Sequence, residues 1–345
     1  MSLLMRSMIS FSLVLGTIIT TASHHWLSAW MGLVLNMLPM LVIIIKPKHP
    51  RAAEAATKYF LIQTIASTLI LFSGAVNAAQ TGRWSISQTK DKYACAMLLL
   101  ALTMKTGAAP TYFWLPEVMQ GVTTTTAMVI ATWQKIAPIT IMFTTHLPPN
   151  LTMISGIMSI VVGGLGSINH TQLRKLMAFS SIANLGWTMV ILTIAPHIAI
   201  FNIFAYMMML FPTFTLIQKM TLKTLQDSMS AWTTSPTMST LLTLMLLTLA
   251  GLPPFTGFIP KLMILDKLAT QDFIPIALTV AMTSLINTFF YIRTTYLITM
   301  TTPPIMAQST VKWRHSFPKQ KLMTTLISLS LFNLPLLLPT LMPLT

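Results

Sequence analysis

The sequence has few charged residues and very few acidic ones. Only 8% of its 345 residues are charged, whereas 54% are hydrophobic. An ordinary soluble domain carries about 25% charged residues. A soluble fold cannot bury this much apolar surface, so the composition predicts a polytopic membrane protein. The single cysteine, Cys95, excludes an internal disulfide and a thiolate metal cage.

Sequence motifs for cofactors are also absent. The chain contains no GxGxxG, Walker loop, HExxH or CxxC motif, and no histidine pair at haem spacing within one helix. We therefore expect no nucleotide, flavin, zinc, iron–sulfur or haem site on this chain. The net charge of +15 does not indicate nucleic-acid binding, because no basic stripe carries interleaved aromatic residues.

Long apolar runs predict an all-α bundle of about eleven transmembrane helices, since about twenty apolar residues cross a bilayer. The predicted spans are 3–21, 26–45, 57–78, 93–120, 121–146, 150–168, 174–195, 197–218, 237–270, 274–299 and 321–343. The fourth and ninth runs are too long for one straight span and contain proline and glycine near their middle. We treat 1–345 as a single transmembrane domain.

Basic residues indicate how these helices are oriented. The N-terminus and the loops on its side of the membrane carry nearly all of the excess positive charge, including the loops near 46–57 and 300–320. Positively charged loops stay on the cytoplasm-like side of a membrane. The charge pattern therefore places the N-terminus on that side and the C-terminus on the other.

The two long runs share one motif. Residues 107–117 and 251–261 both read G-x-x-P-x-x-x-x-x-P followed by a charge, and Gly251 follows Gly107 by 144 positions, as Pro260 follows Pro116. Proline interrupts a helix, and broken backbone at membrane depth is tolerated only inside protein or beside water.

The two motifs lie in the fourth and ninth predicted helices, which are five positions apart in the chain, an odd number, so the two halves run through the membrane in opposite directions. This arrangement predicts an inverted repeat of broken helices within 93–195 and 237–299, as in transporters. Two ordinary proline kinks are the alternative interpretation.

Three lysines, Lys105, Lys135 and Lys261, lie near the middle of apolar runs. A charge at the bilayer centre costs about 3 kcal/mol or more, so an intramembrane lysine is by default a functional candidate. Burial disfavours the charged form of lysine, which allows proton exchange near neutral pH. We predict a path for protons or cations along these residues. Alternatively, they only hold backbone carbonyls that the broken helices, or Pro138, release.

Glu117 is an acid within an apolar run. It is a candidate to pair with a lysine or to bind a cation. It is equally compatible with the end of a half-helix near the membrane surface. Arg293 lies near the end of its run, and we expect it to extend to the positive-side surface.

Several longer motifs occur in order along nearly the whole chain. They are Trp30-Met-Gly-Leu33, Pro50-Arg-Ala-Ala-Glu54-Ala-Ala-Thr-Lys58-Tyr-Phe60, Phe113-Trp-Leu-Pro-Glu117, Thr132-Trp-Gln-Lys135-Ile-Ala-Pro138, Asn169-His-Thr-Gln-Leu-Arg174-Lys175-Leu-Met-Ala-Phe-Ser180-Ser181-Ile and Gly251-Leu-Pro-Pro254-Phe-Thr-Gly257-Phe258. Together they resemble the subunit 2 family of mitochondrial NADH dehydrogenase, the antiporter-like membrane subunits of respiratory complex I.

The resemblance implies proton pumping through Lys105, Lys135 and Lys261, driven by quinone reduction elsewhere in the complex. It implies no cofactor on this chain, while the whole complex uses NADH and ubiquinone. The implied location is the mitochondrial inner membrane. The implied partners are other complex I membrane subunits and the lipid bilayer, with cardiolipin a candidate lipid. A free-standing monovalent cation/proton antiporter and a structural membrane scaffold are the alternatives.

Two positions depart from the family's pattern. The family has a glutamate after Trp-x-Gly-Leu, paired with the lysine that matches Lys105, but this chain has Val34 there. We expect another group, Asn36 or water, to serve Lys105, or the coupling to differ. Asn184 stands where many members have histidine.

Overall fold

The computed structural model describes residues 3–86, 89, 91–253, 255–300, 325, 327, 328 and 330. Within them the chain forms fourteen helices in succession. They are α1 (Leu3–Thr21), α2 (Trp26–Ile45), α3 (Pro50–Thr81), α4 (Lys92–Thr106), α5 (Trp114–Gly121), α6 (Thr124–Ala131), α7 (Trp133–Thr144), α8 (Pro149–Ile168), α9 (Leu173–Leu192), α10 (Pro196–Lys219), α11 (Leu225–Thr234), α12 (Pro236–Ala250), α13 (Phe258–Thr270) and α14 (Ile274–Met300).

Eight helical segments among the described residues are long and apolar enough to cross a membrane, with α6 and α7 together forming one of them. The all-helical, polytopic class is therefore confirmed. α3 begins at Pro50 rather than near 57, because His49 caps its amino end and Pro50 suits the first helical turn. The run 321–343 lies outside the described residues, apart from the few named above.

The short helix α11 was not predicted from the apolar runs. Its signal is a capping box, in which Asp227 accepts hydrogen bonds from the Lys223 and Thr224 amides while the Thr224 hydroxyl accepts one from the Asp227 amide. The Thr224 amide bond is the main cause that holds the pKa of Asp227 below its ordinary value. Helix α11 is too short to cross a bilayer.

The helices form two compact units. The first comprises the described residues up to Ser159 together with Leu192–Pro196. In it α2 packs against α1 and α3, α3 packs against α4 and α5, and α7 contacts α1, α2 and α4. A Cβ atom at Gly32 would lie 2.9 Å from the Gly16 carbonyl oxygen, so glycine lets α1 and α2 approach closely.

The second unit comprises Ile160–Ile191 and the described residues from His197 onward. Its centre is α9, of which 94% is buried. Glycines on α8 lie close to both α9 and α14. A Cβ atom added at Gly163 would contact Ala183 on α9, and one added at Gly164 would contact Ile286 on α14. Helices α12 and α13 both pack against α14.

Both long runs are interrupted where their motifs predict. α4 and α12 each have 15 residues and end at a left-handed glycine, Gly107 with φ 77° and Gly251 with φ 74°. The helix resumes at Trp114 in one run and at Phe258 in the other. Positive φ favours glycine because it has no Cβ. The interruptions are present in the structure, and the opposite direction of the two halves stays a prediction.

A further interruption lies between α6 and α7, where the sequence predicted one continuous span. Thr132 departs from ideal helical angles, with φ −112° and ψ −76°. Its amide and its hydroxyl both donate to the Met128 carbonyl, at 3.0 and 2.8 Å. The break places Lys135 in the first turn of α7, whereas Pro138 lies within that helix.

Candidate functional site

Lys105 and Lys135 line one buried cavity in the first unit. Their side chains are 7% and 3% exposed. The cavity has a volume of about 20 Å³, which is room for about one water molecule. Its polar lining includes Asn36, Tyr59 and Gln134. The structure thus brings together two of the three lysines that the sequence singled out.

The carbonyl groups at the broken end of α4 are bonded by groups other than the Lys105 ammonium, which faces the cavity. The Thr103 carbonyl accepts from the Gly107 and Ala108 amides, at 2.9 and 3.1 Å. The indole of Trp114 donates to the Met104 carbonyl at 3.0 Å, and the Gln63 amide donates to the Lys105 carbonyl at 3.3 Å. Other groups therefore bond these carbonyls. Among the described residues, the Lys105 ammonium has no hydrogen-bond acceptor.

Helix α2 contributes Asn36 to the cavity. The Gln134 amide donates to the Asn36 carbonyl at 3.3 Å and to its side-chain oxygen at 3.2 Å, which ties α7 to α2 beside Lys135. Leu33 and Met37 also line the cavity, whereas Val34 does not. The polar group that α2 offers to the lysines is therefore Asn36, two positions after the site of the family's glutamate.

Lys261 lies in the second unit and has a different environment. Its ammonium donates to the Ala250 carbonyl at 2.6 Å, at the C-terminal end of α12, where the helix dipole favours a positive charge. It also lies 6.0 Å from the centre of the Trp187 ring. Lys261 thus makes the carbonyl-capping contact that was the alternative interpretation for these lysines.

Glu117 lies away from the cavity. Its carboxylate is 51% exposed and lies 2.7 Å from the Lys58 ammonium, which also contacts Glu54 at 2.5 Å. Both interpretations of Glu117 describe part of this geometry, since it pairs with a lysine and is largely exposed. Arg293 donates to the Ile168 carbonyl at 2.9 Å, so it caps the end of α8.

Sequence reasoning missed Tyr59, Gln63 and Gln134 as site residues. All three are neutral, whereas the functional candidates predicted within apolar runs are all charged. The available signal was a glutamine in the middle of an apolar run, since an amide in such a segment must find a hydrogen-bond partner.

The different environments of Lys105 and Lys261 predict different effects on thermal stability when each lysine is replaced by methionine. Lys105→Met removes a buried ammonium without an acceptor and is expected to leave thermal stability unchanged or higher. Lys261→Met leaves the Ala250 carbonyl without that donor and is expected to cost about 1–3 kcal/mol. Thermal unfolding of the purified assembly measures both. Equal losses of stability would contradict this distinction.

Broken helices and buried lysines in one membrane bundle are typical of ion-transport proteins of the antiporter-like class. The profile of the family NADH:quinone oxidoreductase/Mrp antiporter, TM matches residues 23–287. The chain belongs to this family, and within it to the NADH-ubiquinone oxidoreductase chain 2 group.

Individual relatives support this assignment. NADH-ubiquinone oxidoreductase chain 2 of Varanus nebulosus is 48% identical, over 94% of this chain and 95% of the relative. The chain 2 protein of Salmo salar is 43% identical, over 97% of this chain and 94% of the relative. The family resemblance inferred from the motifs is thus confirmed.

A solved structure has the same fold. A chain of respiratory complex I from Thermus thermophilus matches with a TM-score of 0.81, covering 95% of this chain and 78% of that one. The sequence identity is 22%, so this likeness concerns the fold alone.

Proposed function

We propose that this chain is a core membrane subunit of mitochondrial respiratory complex I and moves protons across the inner membrane along Lys105, Lys135 and Lys261. The observation that carries this proposal is the cavity shared by Lys105 and Lys135. Family membership supports it independently. NADH and ubiquinone react elsewhere in the complex, and we expect no redox centre on this chain.

The cavity suggests how a proton passes between the first two lysines. A water molecule held there can accept a proton from one ammonium and donate another to the neighbouring amine. Asn36, Gln134 and Tyr59 supply hydrogen bonds to such a water. Because the site is small and lined by protein, the electrostatic interaction between the two lysines is weakly screened. A change in the charge of one lysine therefore affects the other.

We further propose that eleven spans cross the membrane as an inverted repeat. α4 with α5, and α12 with α13, each make one broken span in addition to the eight segments that are long and apolar enough to cross a membrane. The eleventh span predicted from the sequence, 321–343, lies outside the described residues. The equal lengths of α4 and α12 and their matching glycine ends support the repeat. Glu117 holds α5 against α3 through Lys58.

The partners of the chain are neighbouring complex I subunits and lipid. Helix α1 exposes large apolar side chains, including Leu4, Met8 and Phe11. A membrane subunit covers such a face with lipid tails or with another membrane helix. Cardiolipin is a candidate among the lipids.

The proposal is tested by comparing the assembled complex with the isolated chain in liposomes. We expect NADH-driven proton uptake only with the complex, and recovery of the native chain in a very large assembly. Ion exchange by the isolated chain would instead support a free-standing cation/proton antiporter, an alternative that the antiporter members of its family favour. Normal proton pumping after all three lysines are replaced by neutral residues would support the alternative that the chain is a structural scaffold.

The orientation gives a separate prediction. Cys95 is buried, so cysteines placed at exposed Lys46 and Arg83 report the two membrane sides. In intact mitoplasts we expect a membrane-impermeant maleimide to label position 83 and to spare position 46 until lysis, because basic loops stay in the matrix. Labelling of position 46 before lysis would reverse the orientation. The loop near 300–320, predicted on the same side, lies outside the described residues.

A further inference from the structure

Helix α5 forms one wall of the cavity but depends on α3 for its position. The segment from Gly107 to the start of α5 is not helical, and among the described helices α5 packs chiefly against α3. Trp114 and Leu115, the first residues of α5, line the cavity together with Lys105 and Lys135. A shift of α5 on α3 therefore changes the shape of the cavity that the two lysines share.

One face of α5 contacts α3 at its two ends. Trp114, Glu117 and Gly121 follow one another at helical spacing and share this face. The Trp114 ring meets the Tyr59 ring edge-on, with the ring centroids 5.9 Å apart. A Cβ atom at Gly121 would lie 2.7 Å from the Arg51 carbonyl oxygen, so the two backbones approach closely there. Glu117 lies between these contacts.

The contact of Glu117 with α3 is an ion pair. Its carboxylate lies 2.7 Å from the Lys58 ammonium. The same ammonium also contacts the Glu54 carboxylate at 2.5 Å, but Glu54 precedes Lys58 by one turn of the same helix. Only the Glu117 contact therefore joins two helices. Lys58 thus serves two carboxylates, of which one bears on the position of α5 and the other does not.

Both α3 and α5 also bond the end of α4 that carries Lys105. The Gln63 amide of α3 donates to the Lys105 carbonyl at 3.3 Å. The Trp114 indole of α5 donates to the Met104 carbonyl at 3.0 Å. These two carbonyls are neighbours in the chain, so a displacement of α5 relative to α3 strains or breaks one of the two bonds. The position of Lys105 therefore depends on how α5 is placed on α3.

We propose that Lys58 and Glu117 are positioning residues for proton transfer between Lys105 and Lys135. Their ion pair keeps α5 in place on α3, and this fixes both the cavity wall and the end of α4. The pair itself carries no proton in this role. The inference rests on the proposed function and adds to it the residues that set the geometry of the first two lysines.

The exposure of the pair sets the size of the expected effect. The Lys58 and Glu117 side chains are 39% and 51% exposed, and an exposed ion pair shifts an equilibrium by about fivefold at most. A displacement of about 1 Å can slow a reaction about 100-fold, but α5 keeps its other contacts when the pair is broken. We therefore expect a several-fold loss of proton transfer and little change in stability.

The test breaks the pair in the assembled complex. Glu117→Gln and Lys58→Met are each expected to lower proton uptake and coupled NADH:ubiquinone turnover several-fold, with assembly and thermal stability retained. Lys58→Arg keeps the charge and should retain most of the turnover. Glu54→Gln is the matched control, because it removes a carboxylate from the same ammonium but within α3 alone, and it should match the parent.

An exchange of the two charges tests whether the contact itself is needed. In the Glu54→Gln background, we expect Glu117→Lys to lower turnover, because it places two positive charges together. The combination of Glu117→Lys with Lys58→Glu should restore turnover. Parental proton uptake in Glu117→Gln overturns the inference. Failure of the exchange to restore turnover per assembled complex also overturns it, and this comparison decides if Glu117→Gln assembles poorly.

The outcome also separates this inference from the proposed function. Loss of pumping in Lys135→Met beside normal pumping in Glu117→Gln would reject only the positioning role of the ion pair. Normal pumping in Lys135→Met would instead count against the proposed function.

Discussion

Replacing Lys135 by methionine is expected to lower proton uptake by the assembled complex at least tenfold without preventing assembly. Lys135 is 3% exposed and lines the cavity that Lys105 also lines. Methionine keeps the length of the side chain but cannot bind or release a proton. Proton transfer by a positioned side chain typically contributes about 10²–10⁴-fold to a rate, so even a partial bypass through water should leave a large defect.

Stability should not explain this defect. Removing a buried charge avoids its desolvation, and apolar replacements of similar volume are often tolerated. The measurement is proton uptake per NADH oxidised in proteoliposomes, with the amount of assembled complex determined on native gels. Lys92→Met is the matched control, because Lys92 is exposed at the start of α4. A normal proton-to-electron ratio in Lys135→Met would reduce Lys135 to a structural residue.

Gly251→Ala is expected to destabilise the protein far more than Gly82→Ala. Both glycines end a helix with left-handed φ, 74° and 68°, and this conformation costs a residue with a Cβ about 1–2 kcal/mol. A Cβ at Gly82 would meet nothing within 4 Å. A Cβ at Gly251 would lie 2.6 Å from the Lys261 ammonium and 3.0 Å from the Gly257 carbonyl oxygen.

The alanine at 251 must therefore displace the Lys261 ammonium from the Ala250 carbonyl. Losing a hydrogen bond to a charged group adds about 1.5–3 kcal/mol to the backbone strain. We expect a total of about 3–5 kcal/mol for Gly251→Ala, and only the strain for Gly82→Ala. Thermal unfolding compares the two, and coupled turnover should fall with Gly251→Ala alone. Equal effects of the two variants would show that the Lys261 contact contributes little.

The sequence predicted features that depend on residues with strong local effects. Glycine and proline located the two helix breaks, and charge in apolar runs located three buried lysines. The break at Thr132 was not predicted because threonine is compatible with a helix. Helix α2 is apolar nearly all round, so the expectation that Asn36 or water serves Lys105 came from the family resemblance and not from the pattern of the helix.

The two helix breaks have similar backbones but different caps, and this difference determines whether each break depends on the charge of its lysine. At the end of α4, the carbonyls that lack a partner within the helix are bonded by neutral donors, including Trp114 and Gln63. That break can persist whatever the protonation state of its lysine. In α12 the lysine itself is a donor, so loss of its proton weakens the break. The backbone geometry of the second break is therefore coupled to the charge of its lysine, whereas that of the first is not.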